Sequence, residues 1–215
     1  MKTRSILLNL LTLAAVAALS GCSTTGYKQA DKTGEGIAEF RDAIVTAEKA
    51  IDNTMKSLDQ VAASATTNPR KPFEHYTKNV VNLEAAAAKA RARCQDVKDQ
   101  GKAYFAQWEK QLAEVNNPEV RALAEQRKTK LQETFNRIRQ VAEPLKAQFD
   151  PWMSDLKDLQ TYLANDLTIA GVDAAKGLFA KTQGEGLEVQ KSMNALVAEL
   201  NTVAATITPA KSSGK

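Results

Sequence analysis

The sequence predicts an all-α protein, an elongated antiparallel bundle or coiled coil of four to five helices. Three observations lead to this prediction. Aromatic residues make up only 6% of the 215 residues, while Ala, Lys, Glu, Gln and Leu are abundant. Apolar residues recur at intervals of seven over long stretches, which is the spacing of a helical seam. No stretch alternates apolar and polar residues as a half-buried strand does.

The first helical pattern begins near residue 36. One row of apolar residues is spaced by seven and comprises Ile37, Ile44, Ile51, Leu58 and Ala65. A second row lies between these positions and comprises Phe40, Ala47, Met55 and Val61. Both rows fall on one face of a helix, so they predict an amphipathic helix that packs against the rest of the domain.

The second pattern is the longest in the chain. One row contains Phe73, Val80, Ala87, Cys94, Gly101, Trp108 and Val115. Its companion row contains Tyr76, Leu83, Ala90, Val97 and Tyr104. A helix from Pro72 to Val115 would be about 66 Å long at 1.5 Å per residue. The sequence therefore predicts an elongated body.

Asn117 and Pro118 suggest the start of a third helix, because Asn is a good N-cap and Pro suits the first helical position. Its apolar stripe comprises Val120, Leu123, Leu131, Phe135, Ile138 and Val141. Pro144 and Pro151 follow. Each is expected to kink or end the helix, because proline lacks the N–H that an interior position donates.

The remaining third of the chain continues the helical pattern. Trp152, Leu156, Leu159 and Leu163 have spacings of three and four, and residues 170–180 are weakly patterned. Gly184-Glu185-Gly186 predicts a break. A last stripe comprises Val189, Met193, Leu196, Leu200, Val203 and Ile207.

The first 22 residues resemble a bacterial lipoprotein signal. Lys2 and Arg4 precede an apolar run at 6–19, and Leu19-Ser20-Gly21-Cys22 is similar to a lipobox. The resemblance implies cleavage before Cys22, acylation of that residue, and anchoring by lipid. The run of 14 residues is short of the roughly 20 that span a bilayer. A plain signal peptide or a membrane anchor are the alternatives.

The predicted organisation is a signal peptide at 1–21, a lipidated cysteine and polar tether at 22–35, a helical bundle at 36–207 and a disordered tail at 208–215. By resemblance to sorted lipoproteins, Ser23, which is not an aspartate, favours the periplasmic face of the outer membrane. Loss of Lys2 and Arg4 lowers the formal net charge from +4 to +2, which gives no general argument for nucleic acid binding.

The sequence contains no pattern typical of a catalytic or metal site. His75 is the only histidine and has no nucleophile motif beside it. Asp155 with Asp158, and Glu185 with Glu188, have i, i+3 spacing, which favours a solvated helix face over a weak site for a hard cation. We therefore expect a non-enzymatic protein without metal or cofactor, and the sequence assigns no ligand-binding residues.

Several other residues admit two interpretations. Cys94 lies on a seam, which favours a buried small side chain over an exposed redox or dimer-forming thiol. Trp108 and Trp152 are interpreted as core residues rather than a ligand platform. A basic cluster is interpreted as a salt-bridged face rather than an anion site, and it comprises Arg121, Arg127, Lys128, Lys130, Arg137 and Arg139.

The order and spacing of several short motifs resemble the bacterial envelope lipoproteins grouped as domain of unknown function 2959, over roughly residues 26–207. The motifs are Phe105-x-x-Trp108-Glu109-x-x-Leu112, Asn117, Val120-Arg121, Leu131, Thr134, Phe149-Asp150-Pro151-Trp152, Leu156-Lys157-Asp158 and Tyr162-Leu163. One stretch departs from the family pattern, since Ala164-Asn165-Asp166-Leu167-Thr168 replaces Lys-His-Asn-Leu-Asn. The resemblance implies a helical lipoprotein and no assigned activity.

The sequence thus favours a lipid-anchored helical scaffold or interaction module. Its expected partners are the membrane and envelope proteins, without nucleic acid, and a homo-oligomer is compatible with the pattern. One alternative is a ligand-binding or enzyme-accessory protein with a pocket near Pro144 and Pro151, beside Trp152. A third is self-assembly on the membrane, which would require a long apolar hairpin that the mature sequence lacks.

Overall fold

The computed structural model describes residues 26–207, and these form five α-helices with no strand. The helices are α1 (Gly26–Ala63), α2 (Arg70–Ala113), α3 (Pro118–Asn165), α4 (Ile169–Ala174) and α5 (Lys176–Ile207). The all-α prediction is confirmed. The predicted signal peptide, the predicted lipidation site Cys22 and the predicted tail at 208–215 lie outside the described residues.

The four long helices form an antiparallel bundle around one core. α1 packs on α2 and α5, and α3 packs on α5 and, more sparsely, on α2. We call the end where α1 begins the proximal end; it holds Gly26, Ala113, Pro118 and Ile207. The distal end holds Ala63, Arg70, Asn165, Lys176 and the short helix α4. At 1.5 Å per residue, the 48-residue α3 is about 72 Å long.

The predicted seams of α1 and α5 form most of the core. The buried residues include both predicted rows of α1 and all six residues of the last stripe. In α2 only the companion row is buried throughout, whereas Phe73, Cys94, Trp108 and Val115 are half-buried. Their row faces α3, since a Cβ on Gly101 would lie 3.0 Å from Phe135 Cε1. The sparse α2–α3 contact leaves this row partly open.

The predicted tether at 22–35 is wrong from Gly26 onward, because α1 begins there. Ala30, Thr33 and Gly34 are buried in its first turns. The polar composition is misleading here because small residues let two helices approach closely. A Cβ on Gly36, for example, would overlap the Gln100 side chain of α2.

Neither Pro144 nor Pro151 ends α3, which runs through both, so of the two predicted outcomes, a kink or an end, the end does not occur. Both prolines face outward, and the buried side chains Leu145, Phe149 and Trp152 lie beside them. An interior proline costs about 3 kcal/mol. The two prolines together thus cost about 6 kcal/mol, and burying three large apolar side chains contributes about 1.5–3 kcal/mol each, which is enough to offset a cost of that size.

The predicted break at Gly184-Glu185-Gly186 is also wrong, since α5 is continuous there. Gly186 is buried at a close approach of three helices. A Cβ at this position would overlap Met55 Sδ and lie 3.0 Å from Trp152 Cζ2. The glycine therefore permits packing rather than a turn.

The start of α3 departs most from the predicted pattern. Val120 and Leu123, expected on the buried stripe, are 50% and 67% exposed. Arg127 Nη2 donates to the Thr206 carbonyl at 3.0 Å. The end of α5 at Ile207, its last described residue, therefore lies near the turn of α3 that contains Arg127. Residues 118–126 of α3 lie on the proximal side of Arg127, and Val120 and Leu123 among them are exposed.

Residues 26–207 include no helix that combines the length and the apolar character required to cross a membrane.

Candidate functional site

The residues that the sequence raised as candidates for chemistry do not come together. His75 is exposed near the start of α2. Asp155 and Glu185 both pair with Lys181, at 2.7 and 3.4 Å, and these carboxylates raise the pKa of the Lys181 ammonium. In the part of the chain that the structure describes, no three His, Cys, Asp or Glu side chains form a group that could hold a metal ion.

One recess in the surface of the bundle lies between α2 and α3. We call it the central groove. Its volume is about 240 Å³ and it is lined by Glu84, Ala87, Arg91, Phe149, Asp150, Met153, Ser154 and Lys157. It lies beside Pro151, near the place where the sequence suggested a pocket. It is smaller than the 300–1,000 Å³ typical of small-molecule sites.

Two ion pairs cross the central groove from α2 to α3. Lys157 Nζ lies 2.6 Å from Glu84 Oε1, and Arg91 pairs with Asp150. The Arg91 guanidinium also lies 5.6 Å from the centroid of the Phe149 ring. These side chains are about half exposed, so each pair contributes only about 0–1 kcal/mol and opens at small cost.

A signal for these pairs is present in the sequence, although the apolar rows alone do not reveal it. Glu84 and Arg91 are seven residues apart on α2, and Asp150 and Lys157 are seven apart on α3. Charges at heptad spacing beside a seam pair with complementary charges on the neighbouring helix. Each helix carries an acid followed by a base, so when the two helices run antiparallel, Glu84 faces Lys157 and Arg91 faces Asp150, as they do in the structure.

The second recess lies at the proximal end and we call it the aromatic recess. It has a volume of about 230 Å³ and is lined by Gly26, Tyr104, Trp108 and Gln111. Tyr104 and Trp108 meet edge to face with ring centroids 5.6 Å apart. Burial raises the pKa of the Tyr104 hydroxyl, and nearby Arg127 opposes this shift. Trp108 is half-buried, so the predicted core role is only partly correct.

The basic cluster ties helices together, as the salt-bridge interpretation predicted. Lys128 pairs with Glu109 at 3.3 Å, and Arg137 pairs with Glu199 at 2.8 Å. Arg121 was not expected to act on the backbone, yet its Nε and Nη2 donate to the Val115 carbonyl at 3.2 and 2.6 Å. Together with the Arg127 contact to Thr206, it holds the start of α3 to its neighbours.

Cys94 is less buried than its seam position predicted. It is half-buried and packs against the core from the α2–α3 side. Burial raises the pKa of its thiol, while nearby Lys98 lowers it. A raised pKa reduces the thiolate fraction at neutral pH and with it the reactivity of the thiol.

Tyr76 joins α2 to α3 in the distal half of the core. It is fully buried, and its hydroxyl donates to the Leu156 carbonyl at 2.7 Å. Burial raises the pKa of the Tyr76 hydroxyl far above its ordinary value. The folded protein therefore holds this proton more tightly than the unfolded chain does.

We expect the free energy of unfolding to fall as the pH rises above about 10, the pKa of an unfolded tyrosine. Below that pH the raised pKa of Tyr76 makes its full contribution to the free energy of unfolding. Above it, this contribution falls by at most about 1.4 kcal/mol per pH unit. Tyr76→Phe should remove this part of the slope, whereas exposed Tyr27→Phe should not. Urea unfolding at a series of alkaline pH values measures both. Equal slopes in Tyr76→Phe and the unmodified protein would contradict the assignment.

Residues 164–168, which depart from the family pattern, form the end of α3 and the turn between α3 and α4. Asp166 Oδ1 accepts from Thr168 Oγ1 at 2.6 Å, and Thr168 Oγ1 accepts from Gly171 N at 3.1 Å. The Tyr162 hydroxyl donates to the Gly171 carbonyl at 3.0 Å. A Cβ on Gly171 would lie 2.5 Å from the Asp166 carbonyl oxygen. These residues therefore build a tight corner at the distal end.

The two longest family-like motifs fall at the two recesses. Phe105 and Trp108 belong to the aromatic cluster at the proximal end, where Phe105 meets Phe135 with centroids 5.3 Å apart. In the second motif Phe149 and Asp150 line the central groove, and Trp152 points into the core.

A comparison with known families matches residues 20–207 to the family described as "Protein of unknown function (DUF2959)". Comparisons with curated proteins and with solved structures find no significant match. The family match spans most of the chain and includes both motifs and Cys22. The chain therefore belongs to the DUF2959 family of proteins of unknown function.

Proposed function

We propose that this protein is a non-enzymatic envelope lipoprotein, anchored by lipid at Cys22, whose bundle acts as a spacer or scaffold for protein partners. The observation that carries the proposal is the position of Gly26. This residue starts α1 at one end of a long bundle, four residues after Cys22. A lipid on Cys22 would hold the whole body by that end.

The lengths of the parts support a spacer. Four extended residues reach at most about 14 Å, so the proximal end would stay close to the bilayer. The 38 residues of α1 extend about 57 Å. The distal end would thus lie well away from the membrane in which the lipid sits.

Exposed apolar side chains support a contact surface at the distal end. Tyr162, Ile169 and Leu178 lie there, around α4, and are 38%, 57% and 54% exposed. Large apolar side chains at the centre of an interface contribute much of its binding energy. We therefore place the partner surface at the distal corner.

Cys22→Ala should release the protein from the membrane fraction and abolish incorporation of a labelled fatty acid, because the thiol is the acceptor in the proposed anchor. Fractionation and metabolic labelling measure the two effects. Cys94→Ala is the matched control, and it should keep both the label and the membrane association. Undiminished labelling of Cys22→Ala would show that the anchor is elsewhere.

In-cell photocrosslinking tests the scaffold. A photoreactive residue at Ile169 or Leu178 should give discrete protein adducts, and the same residue at Leu187, on the side of α5, is the control. Adducts at the distal positions should be lost in the Cys22→Ala background, since the bundle would no longer be held at the membrane. Distal positions that give no adduct, or adducts indifferent to Cys22→Ala, would contradict the scaffold.

The ligand-binding alternative rests on the central groove, where two ion pairs and the Phe149 ring meet beside Pro151. A small polar molecule would replace one ion pair with its own charged contacts. Native mass spectrometry of protein purified from the envelope is the test. A bound small molecule that disappears in the Arg91→Gln, Lys157→Gln double variant would favour this alternative over the scaffold.

A further inference from the structure

We infer that the proximal end docks on the bilayer surface through apolar side chains, so that the anchored bundle stands on its end. The inference rests on the proposed lipid at Cys22 and adds a second contact to it. Its central residues are Val120 and Leu123 at the start of α3, with Tyr27 and Trp108 beside the start of α1.

The first step is the rigidity of the exposed segment. Residues 118–126 extend about 13 Å beyond the turn that meets Thr206, at 1.5 Å per residue. Asn117 Oδ1 accepts from the N–H groups of Glu119 and Val120 at 2.9 and 3.2 Å and so caps this helix. The Arg121 contacts to the Val115 carbonyl hold it to the end of α2. Val120 and Leu123 are thus displayed on a capped helix that is tied to the bundle.

The second step is that the neighbouring chain has little to cover them. Ser23, Thr24 and Thr25 separate Cys22 from Gly26, and the residues after Ile207 are Thr-Pro-Ala-Lys-Ser-Ser-Gly-Lys. Neither segment contains a large apolar side chain. These two flanking segments therefore supply no large apolar side chain that could cover Val120 and Leu123.

The third step identifies that surface. A link of four residues keeps the proximal end within about 14 Å of the lipidated residue. So short a link gives an effective concentration in the millimolar range, at which a weak contact becomes populated. The surface that is always within this reach is the bilayer that holds the lipid.

The fourth step distinguishes an apolar contact from an electrostatic one. The cations Arg121, Arg127 and Lys128 already hold contacts inside the bundle, and the acidic Glu125 lies among them in the sequence. The exposed side chains at this end include the large apolar Val120 and Leu123 and the aromatic Tyr27, which is 60% exposed. Tyr and Trp favour the boundary between lipid and water. Docking should therefore occur on neutral as well as anionic membranes.

Tryptophan fluorescence provides the test. The protein is purified from the membrane fraction and reconstituted into phosphatidylcholine vesicles, with or without phosphatidylglycerol, that carry a nitroxide on the acyl chains. Trp108 lies at the proximal end. Trp152 packs near Met55, which is 29 residues beyond Gly26 and so about 43 Å along α1. The nitroxide should therefore quench the fluorescence of Trp108 and not that of Trp152. We expect this quenching in vesicles with and without phosphatidylglycerol.

The double variant Val120→Ser, Leu123→Ser should lose most of this quenching, because it removes the apolar contact and adds no charge. Leu178→Ser with Leu187→Ser is the matched control. Those residues are 54% and 58% exposed and lie away from the proximal end, so quenching should be unchanged. Circular dichroism should show equal helicity in all three proteins, since each substitution is at an exposed site.

The outcomes separate the two proposals. If mass spectrometry finds no acyl group on Cys22, the anchor fails and the docking inference fails with it. If Cys22 is acylated but Trp108 is not quenched, the docking inference is wrong and the anchor stands. Quenching that requires phosphatidylglycerol, or that persists in the Val120→Ser, Leu123→Ser variant, would overturn the apolar contact.

Discussion

Trp152→Ala should lower the free energy of unfolding by about 3–5 kcal/mol, the usual range for removing a buried tryptophan. Trp152 is 1% exposed and packs against Phe149, with ring centroids 5.9 Å apart. Its Nε1 donates to the Thr182 carbonyl at 2.8 Å, which ties α3 to α5. The substitution leaves a cavity between these helices and removes that hydrogen bond. Urea unfolding followed by circular dichroism measures the loss.

Two variants show which part of Trp152 matters. Trp152→Phe keeps an aromatic ring and loses the hydrogen bond, so its loss should be smaller than that of the alanine variant. Trp108→Ala removes a half-buried tryptophan at the edge of the bundle and should also cost less. Equal losses in Trp108→Ala and Trp152→Ala would show that Trp152 is not the centre of the core.

Gly186→Ala and Gly184→Ala should change stability in opposite directions. Alanine is favoured over glycine within a helix by about 1 kcal/mol, and a Cβ at Gly184 has no atom of another group within 4 Å. Gly184→Ala should therefore stabilise the protein. At Gly186 the Cβ would overlap Met55 Sδ and press on Trp152, so overpacking of about 1–3 kcal/mol should exceed the helical gain.

A double-mutant cycle checks the cause of the Gly186 effect. Met55→Ala removes the atom that the new Cβ would overlap, so the two substitutions together should cost less than the sum of their separate losses. Coupling energies between contacting residues are about 0.5–3 kcal/mol. Strict additivity of Gly186→Ala and Met55→Ala, or stabilisation by Gly186→Ala alone, would contradict this packing.

The helices themselves were predictable because their pattern is local. The seven-residue rows of α1 and the last stripe of α5 are buried as the sequence predicted. The helix end at the prolines and the break at Gly184-Glu185-Gly186 do not occur, for a different reason. Pro144, Pro151 and Gly186 act against a helix locally, but the packing of neighbouring side chains decides whether the helix continues.

The candidate sites were less predictable than the helices. The sequence located Cys22 by resemblance, and that site lies outside the described residues. It placed a pocket near Pro151 without identifying the ion pairs of Arg91 and Lys157, although their heptad spacing was present. It placed Val120 and Leu123 on a buried stripe, whereas the structure exposes both.

The amino-acid sequence is enough to establish the family, the all-α class and the faces that α1 and α5 bury, because a helix repeats every 3.6 residues and its apolar stripe can be read along the chain. Helix packing sets which helices are neighbours and how far each extends past the next. Those lengths set the exposure at the bundle ends: α3 begins nine residues before Arg127, which meets the last turn of α5, and its first apolar residues are exposed. How far one helix is shifted along its neighbour depends on contacts between distant parts of the chain. A periodic pattern within one helix does not contain information on those contacts.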